Sequence, residues 1–322
     1  MKKTVFTLLL TLIVNCLLSI VECKAQESQT IYNFLRLPVS AHAAALGGDN
    51  ITLAEDDEAQ IFQNPALLHG VSDKTLHLGF MNYMQGSYTA NAAFNRTVGE
   101  RGAWAVSGQF MDYGTMKEVD ENNIATGDFS ARDIAITGYY SHLLAPNLSG
   151  GIAAKFINSH IASYNSMAVA VDLGVNYYKP ESGLSASLVA KNLGGQINAY
   201  DDEYERLPFD LQAGVSKRLV GTPLRFSGTL VDLTHWDYKF IHHLAAGIDL
   251  LLSEQIWVGA GYNFRRAHEM NITTDDVDNE SAHGAGLSLG AGLALERFKL
   301  HLAYGKYHVS SHSLILNLAI NL

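Results

Sequence analysis

The chain has 322 residues, a net charge of −10 at pH 7, 48% hydrophobic and 17% charged residues, and 2 cysteines. Its acidic balance argues against a nucleic-acid partner, which would want a basic face. Cys16 and Cys23 both precede Gln26, so the chain beyond that point can form neither a disulfide nor a thiolate metal site.

Lys2 and Lys3, the apolar run from Val5 to Ile20 and the small-residue end Cys23-Lys24-Ala25 read as a secretory signal over residues 1–25. Asn15 and Glu22 precede the two cysteines, which does not fit a lipoprotein signal. Beyond this leader the best apolar stretch, Leu244 to Leu252, is interrupted by Asp249, and no segment is long enough to span a membrane as a helix.

Residues 26–73 form a separate unit. Ser40 can cap a short Ala-rich helix that Gly47 and Gly48 would end. An acidic run, Glu55-Asp56-Asp57-Glu58, and the triplet Asn64-Pro65-Ala66 follow. So apolar an element, placed before the first strand, is expected to plug the lumen of what comes next.

From Thr75 onward apolar and small or polar residues alternate with period two. Leu76, Leu78 and Phe80 oppose His77, Gly79 and Met81; Val169, Val171 and Leu173 oppose Ala168, Ala170 and Asp172; Leu314, Leu316 and Leu318 oppose Ser313 and Asn317. About fourteen such segments occur, an even number as in bacterial barrels. Short turns, such as those at Pro146 and Pro180, alternate with longer polar connections. The longer set includes Tyr113 to Ser130, Asn158 to Ser166, Gly194 to Arg206, Arg265 to His283 and Lys306 to Ser311. The expected fold is therefore all-β: a membrane-spanning antiparallel barrel over residues 74–322 with a helical hatch in its lumen. Short turns and both termini are expected in the periplasm and the long loops outside. Tyr83, Tyr88, Tyr113, Tyr262 and Phe264 fall at outer strand ends, where an aromatic girdle belongs. Lys155, Asp172, Lys191, Arg225, Asp249 and Lys299 fall in the inward phase, because a mid-depth charge facing lipid costs roughly 2–4 kcal/mol.

The string Leu35-Arg36-Leu37-Pro38-Val39-Ser40-Ala41, Gly47-Gly48, Asp56-Asp57 and Asn64-Pro65-Ala66 resembles the hatch of the FadL-like outer-membrane barrel superfamily. Within it the string is most similar to the PorV/PorQ branch of the type IX secretion system. The resemblance is strongest over residues 33–68, and the Asn-Pro-Ala triplet is common to the whole superfamily. It implies a non-catalytic barrel that holds a PorZ-like surface protein in an attachment complex with PorU- and PorV-like components, joining secreted cargo to anionic lipopolysaccharide. It also implies that Gly47, Gly48, Asp56, Asp57, Asn64, Pro65 and Ala66 are structural hatch residues. The chain departs from many such barrels in ending on Leu322 and not on an aromatic residue. The alternative reading is a transporter of hydrophobic small molecules, which needs a continuous apolar route past the hatch.

Enzyme chemistry has little to stand on. Gly286-Leu287-Ser288-Leu289-Gly290 matches a nucleophile elbow, but Ser288 falls mid-strand and not at a strand–helix corner. No cofactor is expected. Asp275, Asp276, Asp278 and Glu280 are spaced as calcium ligands might be, against the alternative of a solvated acidic loop without the glycine that calcium loops use. His235, His242, His243, His268, His283, His308 and His312 gather toward the same rim, read as interfacial and not as metal ligands. The outer connections Tyr113 to Ser130 and Arg265 to His283 are the expected partner-binding elements.

Overall fold

The structure is a computed structural model that describes residues 30–84, 86–120, 122, 124–236, 239–270 and 284–322. The leader and the carboxylates Asp275, Asp276, Asp278 and Glu280 lie outside the described residues. Fourteen strands make up the wall: β1 Thr75–Asn82, β2 Tyr88–Val98, β3 Gly102–Val119, β4 Ala125–Ala145, β5 Leu148–Ile161, β6 Tyr164–Lys179, β7 Leu184–Asn198, β8 Asp210–Arg218, β9 Leu224–Leu230, β10 Leu244–Leu251, β11 Ile256–Asn263, β12 Leu287–Ala294, β13 Phe298–His308 and β14 Ser311–Asn321. Each pairs antiparallel with its sequence neighbours. β14 returns to β1 in a register running from Thr75 opposite Asn321 to Met81 opposite Ile315, so the sheet closes on itself. Closure removes the free edges that an open sheet of this size would expose.

Alternation decides which way each side chain points. Phe80, Trp104, Ile136, Phe156, Leu173 and Leu289 are exposed on the outer wall, while His77, Asn91, Asp172, Asp249, Ser288 and Asn317 are buried inside. An apolar exterior around a polar interior suits lipid outside and is the reverse of a soluble core.

Residues 30–73 fill the lumen. Helix α1 (Ala41–Ala45) starts at Ser40, whose Oγ accepts from the Ala43 N–H at 3.1 Å. It ends in Gly47 and Gly48, at φ 106° and 101°, a left-handed backbone that glycine adopts without strain. Two 3-10 segments follow, Glu58–Phe62 capped by Asp57 and Pro65–Gly70 capped by Asn64. This plug packs in three apolar clusters: Phe34 with Met111 and Ile157; Ile61 and Leu68 with Ala93 and Tyr139; Ala41 and Ala45 with Trp257 and Ile315.

Three sequence expectations need correction. The stretch from Tyr113 to Ser130 is no long loop. Thr115 pairs with Ser130 and Val119 with Ala125, so β3 and β4 run on as a two-stranded ribbon closed by a short turn. Likewise Ile161 pairs with Tyr164 around Ala162 at φ 52°, and only residues 309–310 separate β13 from β14. Polar residues read as loop are compatible with a strand, because backbone pairing continues whatever the side chains face. The long connections are 199–209, 231–243 and 264–286, all at one rim.

The second correction concerns the tyrosines. Tyr88 and Tyr262 are exposed as a girdle requires, but Tyr83 and Tyr113 turn inward against the plug. By plain alternation Tyr113 shares the inward phase of Gln109 and Met111, and the register shift between Asp112 and Thr115, with Gly114 at φ 76°, adds a residue to β3 only beyond it. Tyr113 donates to Asp133 Oδ2 at 2.6 Å.

The third concerns the ends. Thr30 bridges Arg206 in the connection between β7 and β8, whereas Leu322 donates its N–H to Lys74 O beside the start of β1. The first described residue and the last therefore occupy opposite rims, not one.

Glycines on the inner wall let plug backbone press against strand backbone. A Cβ at Gly151 would fall on Ala66 N and Pro65 C, and one at Gly261 on Leu46 C and Gly47 N. A Cβ at the outward Gly138 would meet nothing within 4 Å. Overpacking ordinarily costs about 1–3 kcal/mol, and here the obstacle is backbone that cannot swing away. Gly151→Val and Gly261→Val are expected to displace the plug and speed tryptic cleavage at Arg36 several-fold, with Gly138→Ala unchanged. Limited proteolysis of the folded barrel measures this.

Candidate functional site

The inner wall and the plug share one buried charge cluster. His42, fully buried on α1, has Nε2 3.0 Å from Asp249 Oδ1 on β10 and Nδ1 3.0 Å from Glu55 Oε2 on the plug. Arg225 on β9 places Nη2 2.6 Å from Asp249 Oδ2 and pairs through Nη1 with Glu55. Trp257 of β11 stacks on the imidazole, with centroids 3.6 Å apart and planes 7° from parallel.

Charge counting explains the arrangement. Two carboxylates face one guanidinium, so the cluster is neutral only when His42 carries a proton. Burial alone disfavours the imidazolium, but Glu55 and Asp249 outweigh it and hold the His42 pKa up to about 9. Glu55 is held well below the usual carboxylate range by Arg225 and His42, against the burial that opposes ionisation. Removing one member of such a cluster strands a buried charge, typically at about 3–5 kcal/mol.

The acidic run beyond Glu55 divides its members among different partners. Asp56 Oδ2 lies 2.6 Å from Lys299 Nζ and accepts from the Ser72 hydroxyl, while Asp56 Oδ1 accepts from the Ser72 N–H. Asp57 faces His301 Nδ1 at 3.5 Å and accepts from Gln60 Nε2 at 2.9 Å. Glu58 is buried with neither carboxyl oxygen hydrogen-bonded among the described residues. Burial, and then the Asp57 charge, push its pKa up to about 8.

The remaining sequence candidates fall as follows. Asn64 Oδ1 accepts from the Ala66 N–H at 2.9 Å, and Asn64 Nδ2 donates to Ile51 O at 3.2 Å, so Asn64, Pro65 and Ala66 shape plug backbone. Gly47 N–H donates to Ser288 Oγ at 3.1 Å, and Gly47 O accepts from Asn263 Nδ2 at 2.9 Å. Gly48 lies against Arg266 and Tyr307. Ser288 is fully buried in mid-strand, and its hydroxyl serves the end of α1. His242 and His268 stack with centroids 4.0 Å apart, and His235 faces Asp232 at 2.5 Å. His308 bonds Ser310 and His312 bonds Tyr304, both at 2.8 Å; His283 lies outside the described residues. No group of three or more metal-ligating side chains is gathered among the described residues.

The six inward charges all reach the lumen side. Lys155 pairs with Asp172 at 2.7 Å, Lys191 donates to Gln63 of the plug at 3.1 Å, and Arg225, Asp249 and Lys299 hold the plug as described. Between plug, β7, β8 and the short helix α2 (Phe264–Glu269) lies a cavity of about 290 Å³. Arg36, Asp49, Lys191, Asp210 and Tyr307 are among its lining residues. Sequence reasoning found the wall charges but missed His42. Its local signal was one histidine in an alanine run, and its partners lie far away in sequence.

The titration signs combine. His42 titrates above its ordinary value of 6.5, so its stabilisation is complete below about pH 6.5 and lost as pH rises through about 9. Glu58 also has a raised value, so stability falls as pH rises from its ordinary 4.5 through about 8. Glu55 acts oppositely and is lost only in acid, below 4.5. Hydrogen exchange of the plug amides is therefore expected to be slowest near pH 5–6 and to show declining protection by pH 9, after correction for intrinsic exchange. Glu58→Gln is expected to flatten the decline between pH 4.5 and 8 and leave the His42 portion. A protection profile independent of pH would count against the charge assignment.

No family model and no curated protein matches the sequence. Solved structures do match in fold. A Pseudomonas aeruginosa FadL homologue aligns at TM-score 0.56 and 10% identity, covering 88% of this chain and 98% of that one. The Pseudomonas putida toluene transporter TodX aligns at 0.54 and 11% identity, covering 91% and 97%. The CymD monoaromatic hydrocarbon channel aligns at 0.57 and 12% identity, covering 88% and 97%. At such identity the likeness shows the fold alone: this chain is a closed fourteen-stranded barrel of the FadL-like type.

Proposed function

We propose that this chain is a non-catalytic outer-membrane barrel that anchors a surface protein. The partner inferred from the hatch resemblance is PorZ-like, held beside PorU- and PorV-like components of a type IX attachment complex. The observation that carries the reading is the ionic attachment of plug to wall. His42, Glu55, Arg225 and Asp249 join them across the lumen, and the cavity above carries charged side chains. A hydrocarbon crossing that space would desolvate charges without pairing them. A scaffold has no such conflict, and its three longest connections share one rim with the β3–β4 ribbon.

The second reading is transport of a hydrophobic small molecule. The fold shared with a toluene transporter and a monoaromatic hydrocarbon channel favours it. The two readings part in the cell. Deleting the chain is expected to release the surface partner and leave cargo unattached, with toluene entry unchanged. Shortening the β3–β4 ribbon (residues 113–130) or the 265–283 connection is expected to do the same with the barrel intact. Retention of the partner alongside collapsed hydrocarbon uptake would sink the anchor reading.

Orientation follows from the same reading: the rim with the long connections faces outside. Cysteines at Asp120 and Asp201 are expected to react with an impermeant thiol reagent on whole cells, and cysteines at Pro146 and Pro180 only after permeabilisation. Labelling of the proline turns on intact cells would invert the model.

A further inference from the structure

The lipid-facing wall is not of even height. β9 has 7 residues and β10, β11 and β12 have 8 each, whereas β3 to β7 have 14–21. A strand that crosses a bilayer at a tilt of about 45° takes roughly 9–11 residues. Seven or eight residues at that tilt reach about 17–20 Å, short of the apolar band of about 25 Å. β1 also has 8 residues, but it stands between two neighbours of 11. Four short strands in a row leave a sector of wall whose apolar band is incomplete.

Apolar side chains stand above this sector, at the rim of the long connections. Leu230 of β9 faces Leu244 of β10 as their last pair, and the connection between them carries Trp236, Phe240 and Ile241, all exposed. On β11 the outward Tyr262 meets Phe264 of α2 edge to face, with ring centroids 4.9 Å apart. α2 in turn packs on the connection, where His242 stacks on His268 at 4.0 Å. Polar members turn the other way: Asp232 is buried and pairs with Arg265 at 2.6 Å and His235 at 2.5 Å. Backbone groups are paired as well. The Val231 N–H donates to His243 O at 2.8 Å, the Leu233 N–H to Leu211 O at 3.0 Å and the His242 N–H to Lys239 O at 2.8 Å. Irregular backbone beside hydrocarbon needs such partners. The exposed Lys239 fits the same place, because its long stem lets the ammonium reach up to headgroup phosphate.

We propose that the 231–243 connection, together with Phe264 of α2, is a membrane-seated shelf. Trp236, Phe240 and Ile241 lie at the headgroup–acyl boundary of the adjoining leaflet and complete the wall over β9 to β12. The partner of this surface is lipid, since the shelf continues the lipid-facing wall directly below it. Aromatic and aliphatic side chains beside a lysine are the composition that this boundary favours. Held in water, the same segment would leave three large apolar side chains uncovered. The inference concerns the outer wall alone and stands or falls separately from the anchor reading.

The test uses the purified barrel in vesicles of phosphatidylcholine with a minority of phosphatidylglycerol. No cysteine follows Cys23, so on a Cys16→Ser, Cys23→Ser background Phe240→Cys, Ile241→Cys, Asp201→Cys and Leu289→Cys each offer one site for an environment-sensitive fluorophore. Leu289 faces lipid on β12 and Asp201 is exposed in the 199–209 connection, so these two mark the extremes. Phosphatidylcholine with a doxyl group near its headgroup is expected to quench the Phe240 and Ile241 labels several-fold more than the Asp201 label. Aqueous iodide is expected to quench them several-fold less. Heat-modifiable migration checks that each variant is folded, and the two shelf positions test the placement independently. Labels at both positions that respond as the Asp201 label does would overturn the proposal. A barrel seated lower in the bilayer predicts that result, its shortfall met instead by Val220 and Leu252, which are exposed on turns at the opposite rim.

Discussion

Neutrality inside the lumen is the constraint on which the rest of this structure depends. Asp249 and Arg225 project from adjacent strands into a space that closure of the barrel removes from bulk water. Glu55 added alone would leave an uncompensated negative charge; His42, protonated, balances it. Because both plug groups come from residues 41–55 and both wall groups from β9 and β10, the balance exists only when the plug is seated in one register. Apolar packing of Phe34, Ile61 and Ala45 drives the plug inward without specifying its orientation. The charges specify it.

Glycine and short polar side chains then determine how close the plug comes. Where Gly151 and Gly261 line the wall, plug backbone touches strand backbone. Where Ser141 and Ser288 line it, their hydroxyls donate to the carbonyls of Ala66 and Ala45. These contacts satisfy plug backbone groups that no helix or sheet of its own would pair, the requirement any irregular segment meets at membrane depth. The plug can therefore be mostly non-repetitive and still be largely buried.

Much of this was legible in the sequence, for identifiable reasons. Strand phase is a local property, so Leu314 to Leu318 and Val169 to Leu173 announced their faces directly. Caps are local too, and Ser40, Asp57 and Asn64 each accept from an N–H two or three residues on. What failed were features set by more distant geometry. Lys117 and Asp128 look like loop residues until they are seen opposite each other on a ribbon. Tyr113 shares the inward phase of Met111, and the partner that holds it there, Asp133, comes from the next strand. His42 carried only the signal of a lone histidine in an alanine run, since Arg225 and Asp249 are 183 and 207 residues away. The run Glu55 to Glu58 read as one acidic patch, and the fold gives each carboxylate a different environment.

The positions of Thr30 and Asp73 have a further topological meaning. Thr30 meets Arg206 at one rim, and Asp73 meets Arg96 at the other, so the intervening polypeptide passes the full height of the ring like a thread through a bead. The seam between β1 and β14 joins the strand that directly follows this thread to the last strand of the chain. Either the thread is already in place when the seam zips shut, or an end must be drawn through a finished ring whose bore it nearly fills. The first order of events leaves no impasse: β14 is made last, and the polypeptide it must enclose is made first. The plug is thus a mandrel around which the ring can be wound, and a nick within it would leave both pieces held by the surrounding wall.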